Sequence, residues 1–162
     1  MIKRTLKHTA LVTALVVSPF TSVMAASSQC MPIGGIGTAN LYPEGESKPI
    51  IIAANMIGSV SNAAGKVTAQ RKTTTGLEMD MEHYFGTEKS GGMHTKDLAI
   101  LTAVPGKPGK FMVEITYHIQ PGETRGTLKG FKGQFKSMGL ADLSADPDGM
   151  KVVIRYSGSI CK

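Results

Sequence analysis

Apolar and polar residues alternate along two stretches of this chain. Between Gly76 and Phe85, Leu77, Met79, Met81, His83 and Phe85 fall on one face, while Glu78, Asp80, Glu82 and Tyr84 fall on the other. Between Lys110 and Ile119, Phe111, Val113, Ile115, Tyr117 and Ile119 oppose Met112, Glu114, Thr116 and His118. Period-two alternation is the mark of strands, and one dry face against one wet face is the antiparallel form. Around these stretches, glycine and proline recur at intervals of about 8–12 residues, as they do in sandwiches and barrels.

The pattern predicts strands at Gly35–Tyr42, Pro49–Ala54, Met56–Ser61, Lys66–Lys72, Gly76–Phe85, Lys96–Val104, Lys110–Ile119, Gly126–Met138 and Met150–Ile160. Turns are expected at Pro43-Glu44-Gly45, Asn62-Ala63-Ala64-Gly65, Ser90-Gly91-Gly92, Pro105 to Gly109, Pro121-Gly122 and Asp146 to Gly149. These residues tolerate positive φ or preset it near −65°. No segment after residue 30 reads as a helix, so the fold class expected is all-β. Val152, Val153 and Ile154 run together, as in a strand covered on both sides or closing a barrel.

Gly126, Gly130, Gly133 and Gly139 interrupt an otherwise strand-like stretch, a pattern that marks bulges and barrel corners. Gly126-Thr127-Leu128-Lys129-Gly130-Phe131-Lys132-Gly133 resembles the glycine hairpin of allene-oxide-cyclase-like barrels, a class related to calycins and dirigent-type proteins. Leu128 stands where that motif more often has an aromatic residue. His83-Tyr84-Phe85, Thr95-Lys96-Asp97, Leu101 to Pro105 and the closing Tyr156 to Cys161 are similar to the middle and last strands of exported bacterial members of that class. The resemblance spans Met79 to Cys161. It implies a single antiparallel eight-stranded barrel with a central cavity.

The first 25 residues read differently. Lys3, Arg4 and Lys7 precede an apolar run from Thr9 to Val17, then Pro19, then Val23-Met24-Ala25. That is the order of an export signal cleaved after Ala25 or Ala26. The apolar run is too short to span a bilayer. Gln29 before Cys30 argues against a lipidated cysteine. Residues 26–162 then form one β-barrel domain of 137 residues, periplasmic or secreted, and the formal charge falls from +6 to +3. So small an excess gives no argument for nucleic acid. The only cysteines, Cys30 and Cys161, lie near the two ends of that domain. In an exported chain they are expected to pair and join the first strand to the last.

Candidate chemistry centres on Met79-x-Met81-x-His83. Thioether and imidazole suit Cu(I), with Met93 and His94 close in sequence. The plainer reading is methionine as core filler, and no metal or cofactor is expected. His83 is also a candidate acid or base, with Asp97, Tyr117 and Tyr156 as possible companions. Glu78, Asp80 and Glu82 read as a solvated face that could pair with a lysine such as Lys110. Lys129, Lys132, Lys136, Lys151 and Arg155 make the last third basic, with Lys132 and Lys136 placed on one strand face opposite Phe131 and Phe135.

Three functions remain open. The first is a barrel holding a small apolar or amphipathic molecule, with His83, Met79, Met81 and Tyr117 as ligand contacts. The second is a cyclase or isomerase using the same cavity. The third is an interaction protein acting through its outer surface, as a monomer or as a homo-oligomer. For the cysteines, thiol titration of the unreduced, denatured protein should find no free thiol; two per chain would end the pairing.

Overall fold

The computed structural model describes residues 29–45, 48–144 and 149–162. The proposed export signal and its cleavage site lie outside them. Eight strands follow one another: β1 (Cys30–Pro43), β2 (Ile50–Gly58), β3 (Asn62–Lys72), β4 (Gly76–Gly86), β5 (Gly92–Ala103), β6 (Lys110–Arg125), β7 (Gln134–Asp142) and β8 (Lys151–Cys161). Each pairs antiparallel with the next, and β8 pairs with β1 to close the barrel. The closing register runs from Cys30 opposite Cys161 to Asn40 opposite Lys151, and the two cysteines form a disulfide. No helix among the described residues is long and apolar enough to cross a membrane.

The two alternating stretches point as their pattern requires. Met79, Met81, His83, Phe85, Val113, Ile115 and Tyr117 are all buried inside. Their polar alternates face out, where Arg71 grips Glu78 and Asp80, and Lys66 reaches Glu82. Lys110 pairs with Asp142 rather than with the β4 carboxylates.

Several boundaries differ from the sequence pattern. Pro49–Ala54 and Met56–Ser61 are one strand, β2, so nine candidate strands become eight. The turn after it lies at 59–61, and Asn62 to Gly65 already belong to β3. Tertiary contacts hold that turn. Val60 is buried with its N–H donating to the Tyr156 hydroxyl at 3.2 Å, and the Ser59 N–H donates to Gly34 O at 3.0 Å. Strand β5 starts at Gly92 rather than Lys96, because Met93 and Thr95 are buried.

Pro121-Gly122 does not end β6. Thr95 pairs with Ile119 but Met93 pairs with Thr124, so residues 120–123 bulge out of the ladder and the strand resumes. A bulge accommodates the missing proline N–H without ending the pairing. Gly126–Leu128 is a short 3-10 turn and not a strand. It inserts Leu128, and then Phe131, under the disulfide end of the barrel. Lys132 makes a single bridge with Cys161, so it shares no strand face with Lys136 in β7.

Packing predicts a sharp contrast within β7. Phe135 is almost fully buried, whereas Met138 is 63% exposed. Phe135→Ala should cost about 3–5 kcal/mol. Met138→Ala should cost less than about 0.5 kcal/mol. Urea midpoints of the two variants check this, and similar losses would contradict the assignment of faces.

Candidate functional site

The barrel interior has two unlike halves. At the disulfide end the space is filled by rings. Tyr117 stacks on Phe135 with centroids 4.5 Å apart, and Phe85 meets both edge-on at 5.3 and 5.5 Å. Tyr156 closes this layer, 6.3 Å from Phe135, and its hydroxyl donates to Ile57 O at 3.3 Å. The opposite end is where β1, β3, β5 and β7 finish and β2, β4, β6 and β8 begin. Alanines take inward positions around the cavity: Ala39, Ala54, Ala63, Ala99 and Ala141. Their small side chains leave a cavity of about 50 Å³, walled by Met56, Met79, Met81 and branched aliphatics.

His83 stands where the two halves meet, 5.7 Å from the Phe85 ring and 5.8 Å from that of Tyr117. Strand alternation brings it inside, and Gly65 on β3 makes room for it. A Cβ at residue 65 would lie 2.5 Å from His83 Cδ2 and 2.6 Å from Glu82 O. Its Nδ1–H donates to Asp97 Oδ2 at 2.6 Å. Asp97 points inward from β5, opposite Met81 and two register pairs along from His83 and Thr95. Its side chain is fully buried, and Oδ1 has no hydrogen-bond partner among the described residues. A carboxylate accepts from Nδ1–H, so in the neutral ring it fixes the tautomer that has its lone pair at Nε2. Nε2 makes no hydrogen bond to any described residue, and the ring lines the cavity.

Tyr117 lies beside this pair, directly opposite Asp97 in the β5–β6 register, and its hydroxyl shares a 3.1 Å hydrogen bond with Ser137. Burial raises its pKa well above that of an ordinary tyrosine, and the nearby Asp97 charge adds to the effect, while the Ser137 bond opposes it.

The residues singled out from the sequence separate cleanly. His83, Met79, Met81 and Tyr117 all line the cavity, and Asp97 joins His83 from behind. Tyr156 is committed to the turn at 59–61 and does not line it. Met93 is buried but outside the lining. His94 sits on the outer side, stacked on Tyr84 at 4.3 Å and bonded through Nδ1 to Glu123 at 2.5 Å. Neither therefore extends the Met79–Met81–His83 set. Glu78 and Asp80 are exposed ion-pair partners of Arg71, which lowers the Asp80 pKa through its hydrogen bond. Sequence reasoning missed Gly65, Ser137 and the alanine lining. The visible signal for the last was small residues at inward positions of otherwise bulky strands.

No protein family, curated protein or solved structure matches the chain.

The shifted phenol makes stability depend on alkaline pH. An unfolded tyrosine loses its proton near about pH 10, while folded Tyr117 keeps it. The unfolded state then binds fewer protons, so this contribution is intact below about pH 10 and is lost as pH rises further. Urea midpoints measured on both sides of that pH should fall on the alkaline side, and fall less in Tyr117→Phe. An equal fall in both proteins would remove Tyr117 as the cause.

Proposed function

We propose that this is an exported barrel that binds a small, mostly apolar molecule carrying one hydrogen-bonding group. The observation that supports it most is His83. One ring nitrogen is held by a buried carboxylate, the other makes no hydrogen bond to any described residue, and the ring lines an apolar cavity. A histidine serving only as core filler has no need of an aspartate whose second oxygen is left without a partner, because such a group costs about 1–3 kcal/mol. The free space of about 50 Å³ is small. An engineered cavity of roughly 150 Å³ takes benzene. Met56, Met79 and Met81 line the wall, and their unbranched chains can move aside to enlarge it. The paired cysteines suit the oxidising compartment that the export signal implies.

A second reading draws on the same pair. A base held in one tautomer, inside a water-poor cavity, is the arrangement used for general acid–base catalysis. His83 Nε2 would take a proton from one carbon of a bound substrate and return it to another, with Asp97 compensating the imidazolium formed in between. No co-reactant is needed, so an isomerase is the enzyme class that fits.

Benzene and phenol separate these ideas from a merely structural pair. In NMR titrations phenol should bind about 2–10-fold tighter than benzene, the worth of one hydrogen bond of roughly 0.5–1.5 kcal/mol. The double variant His83→Leu/Asp97→Leu removes both partners and leaves no buried charge unpaired. It should bind the two probes equally. If neither probe shifts any cavity resonance in the wild type, the binding reading fails. Exchange of the α-hydrogens of acetophenone in D2O, lost in the double variant, would favour the isomerase.

A further inference from the structure

The outer face of the barrel carries a second pattern. Residues directly paired on neighbouring antiparallel strands project to the same side, with strands about 4.8 Å apart. One outward row reads Ile36, Arg155, Met138, Glu114 and Ile100 across β1, β8, β7, β6 and β5. The next reads Thr38, Val153, Leu140, Met112 and Thr102 across the same strands. All ten residues are exposed. Met138 at 63% and Leu140 at 56% are among the most exposed large apolar side chains. Such a patch on a folded surface calls for a partner.

Both rows are chemically symmetrical about β7. Outward from Met138 come a charge on each side, positive at Arg155 and negative at Glu114, and then an isoleucine on each side. Outward from Leu140 come Val153 and Met112, and then a threonine on each side. Arg155 and Glu114 form no ion pair or hydrogen bond among the described residues.

From this arrangement we infer that the face centred on β7 is the contact of a homodimer, its two-fold axis running along β7. A two-fold interface must be complementary to itself. An axis along β7 lays each row over the same row of the partner with left and right exchanged. Met138 meets Met138, and Leu140 meets Leu140. Val153 meets Met112. Arg155 of each copy meets Glu114 of the other, which forms two equivalent ion pairs and discharges both unpaired groups. The surface is convex, so the long Met, Arg and Glu side chains on β6, β7 and β8 carry the contact. An unrelated partner would have no reason to select a pattern that mirrors itself.

The same axis brings one unfavourable pair together. Lys136, next along β7 and flanked by Thr116 and Ser157, meets its own symmetry mate. This like-charge contact makes the proposal sharper, because removing it should strengthen the dimer.

Analytical ultracentrifugation of the disulfide-bonded mature protein tests the inference. The wild type should sediment at twice the monomer mass. Arg155→Glu alone and Glu114→Arg alone should each fall to the monomer mass. The double variant R155E/E114R should recover the dimer, and Lys136→Gln should lower the concentration at which the dimer half-dissociates below that of wild type. Far-UV circular dichroism identical to wild type confirms that each variant is folded, since all three positions are exposed. A wild type that stays monomeric at the highest concentrations reached overturns the proposal, as does a dimer indifferent to both single charge reversals. Failure of the double variant to recover it also overturns the proposal. In parallel, the protein is mixed with phosphatidylglycerol vesicles. A monomeric wild type that binds them, with binding lost in Leu140→Asp, would assign the face to a lipid surface and not to a second copy.

Discussion

Everything in this molecule rests on β1 meeting β8. Any open sheet leaves two edges of unpaired N–H and C=O groups, which invite pairing with other chains. Here the ladder from Cys30–Cys161 to Asn40–Lys151 removes both edges, and the disulfide sits at its first pair. In the chain-entropy account, a crosslink between residues 131 apart stabilises mainly by restricting the unfolded chain, by up to about 5 kcal/mol. Closure also creates an inside. Only a closed sheet lets Met79, Val113 and Ile154, which lie on strands far apart around the sheet, face a common interior.

That interior is divided by side-chain size. Four rings fill the disulfide end, and alanines line the cavity. His83 falls at the boundary, beside the rings of Phe85 and Tyr117 and in the cavity lining. Its partner comes from the neighbouring strand at an inward position. Asp97 is reached at 2.6 Å because β4 and β5 hold His83 and Asp97 two register pairs apart, as diagonal neighbours on the same face. Gly65 completes the arrangement by giving up a side chain where the imidazole lies. The site is therefore built on three rigid strands rather than on loops, which fixes the direction of Nε2.

The inner and outer faces use the same alternation for different purposes. On β7, Phe135, Ser137 and Ala141 belong to the interior, while Lys136, Met138 and Leu140 belong to the outer face. A binding role inside and self-association outside are compatible, since they share strands but no side chains. The cavity lies between the strands, toward the end of the barrel where β1 and β7 finish and β2 and β8 begin. The proposed contact runs along its flank and leaves that end uncovered.

Much of the fold was legible in the chain itself. The period-two stretches around Met81 and Ile115 assigned their inward faces correctly, because alternation is a local property of an extended backbone. The two cysteines announced a staple between the ends. His83 and its candidate partner Asp97 were both visible as residues. Their meeting was not, since it depends on the register between β4 and β5, which is set by the hairpin at 86–92. Turn chemistry misled at Asn62 to Gly65 and at Pro121-Gly122. In the first, burial of Val60 and its bond to Tyr156, 96 residues away, moved the turn. In the second, a bulge let the strand continue past a proline. The glycine-rich run from Gly126 became a 3-10 turn because Leu128 and Phe131 are needed to seal the barrel end. The volume of the cavity and the mirrored outer rows were likewise settled only in three dimensions. Both depend on which residues of non-neighbouring segments stand side by side, and no local pattern carries that information.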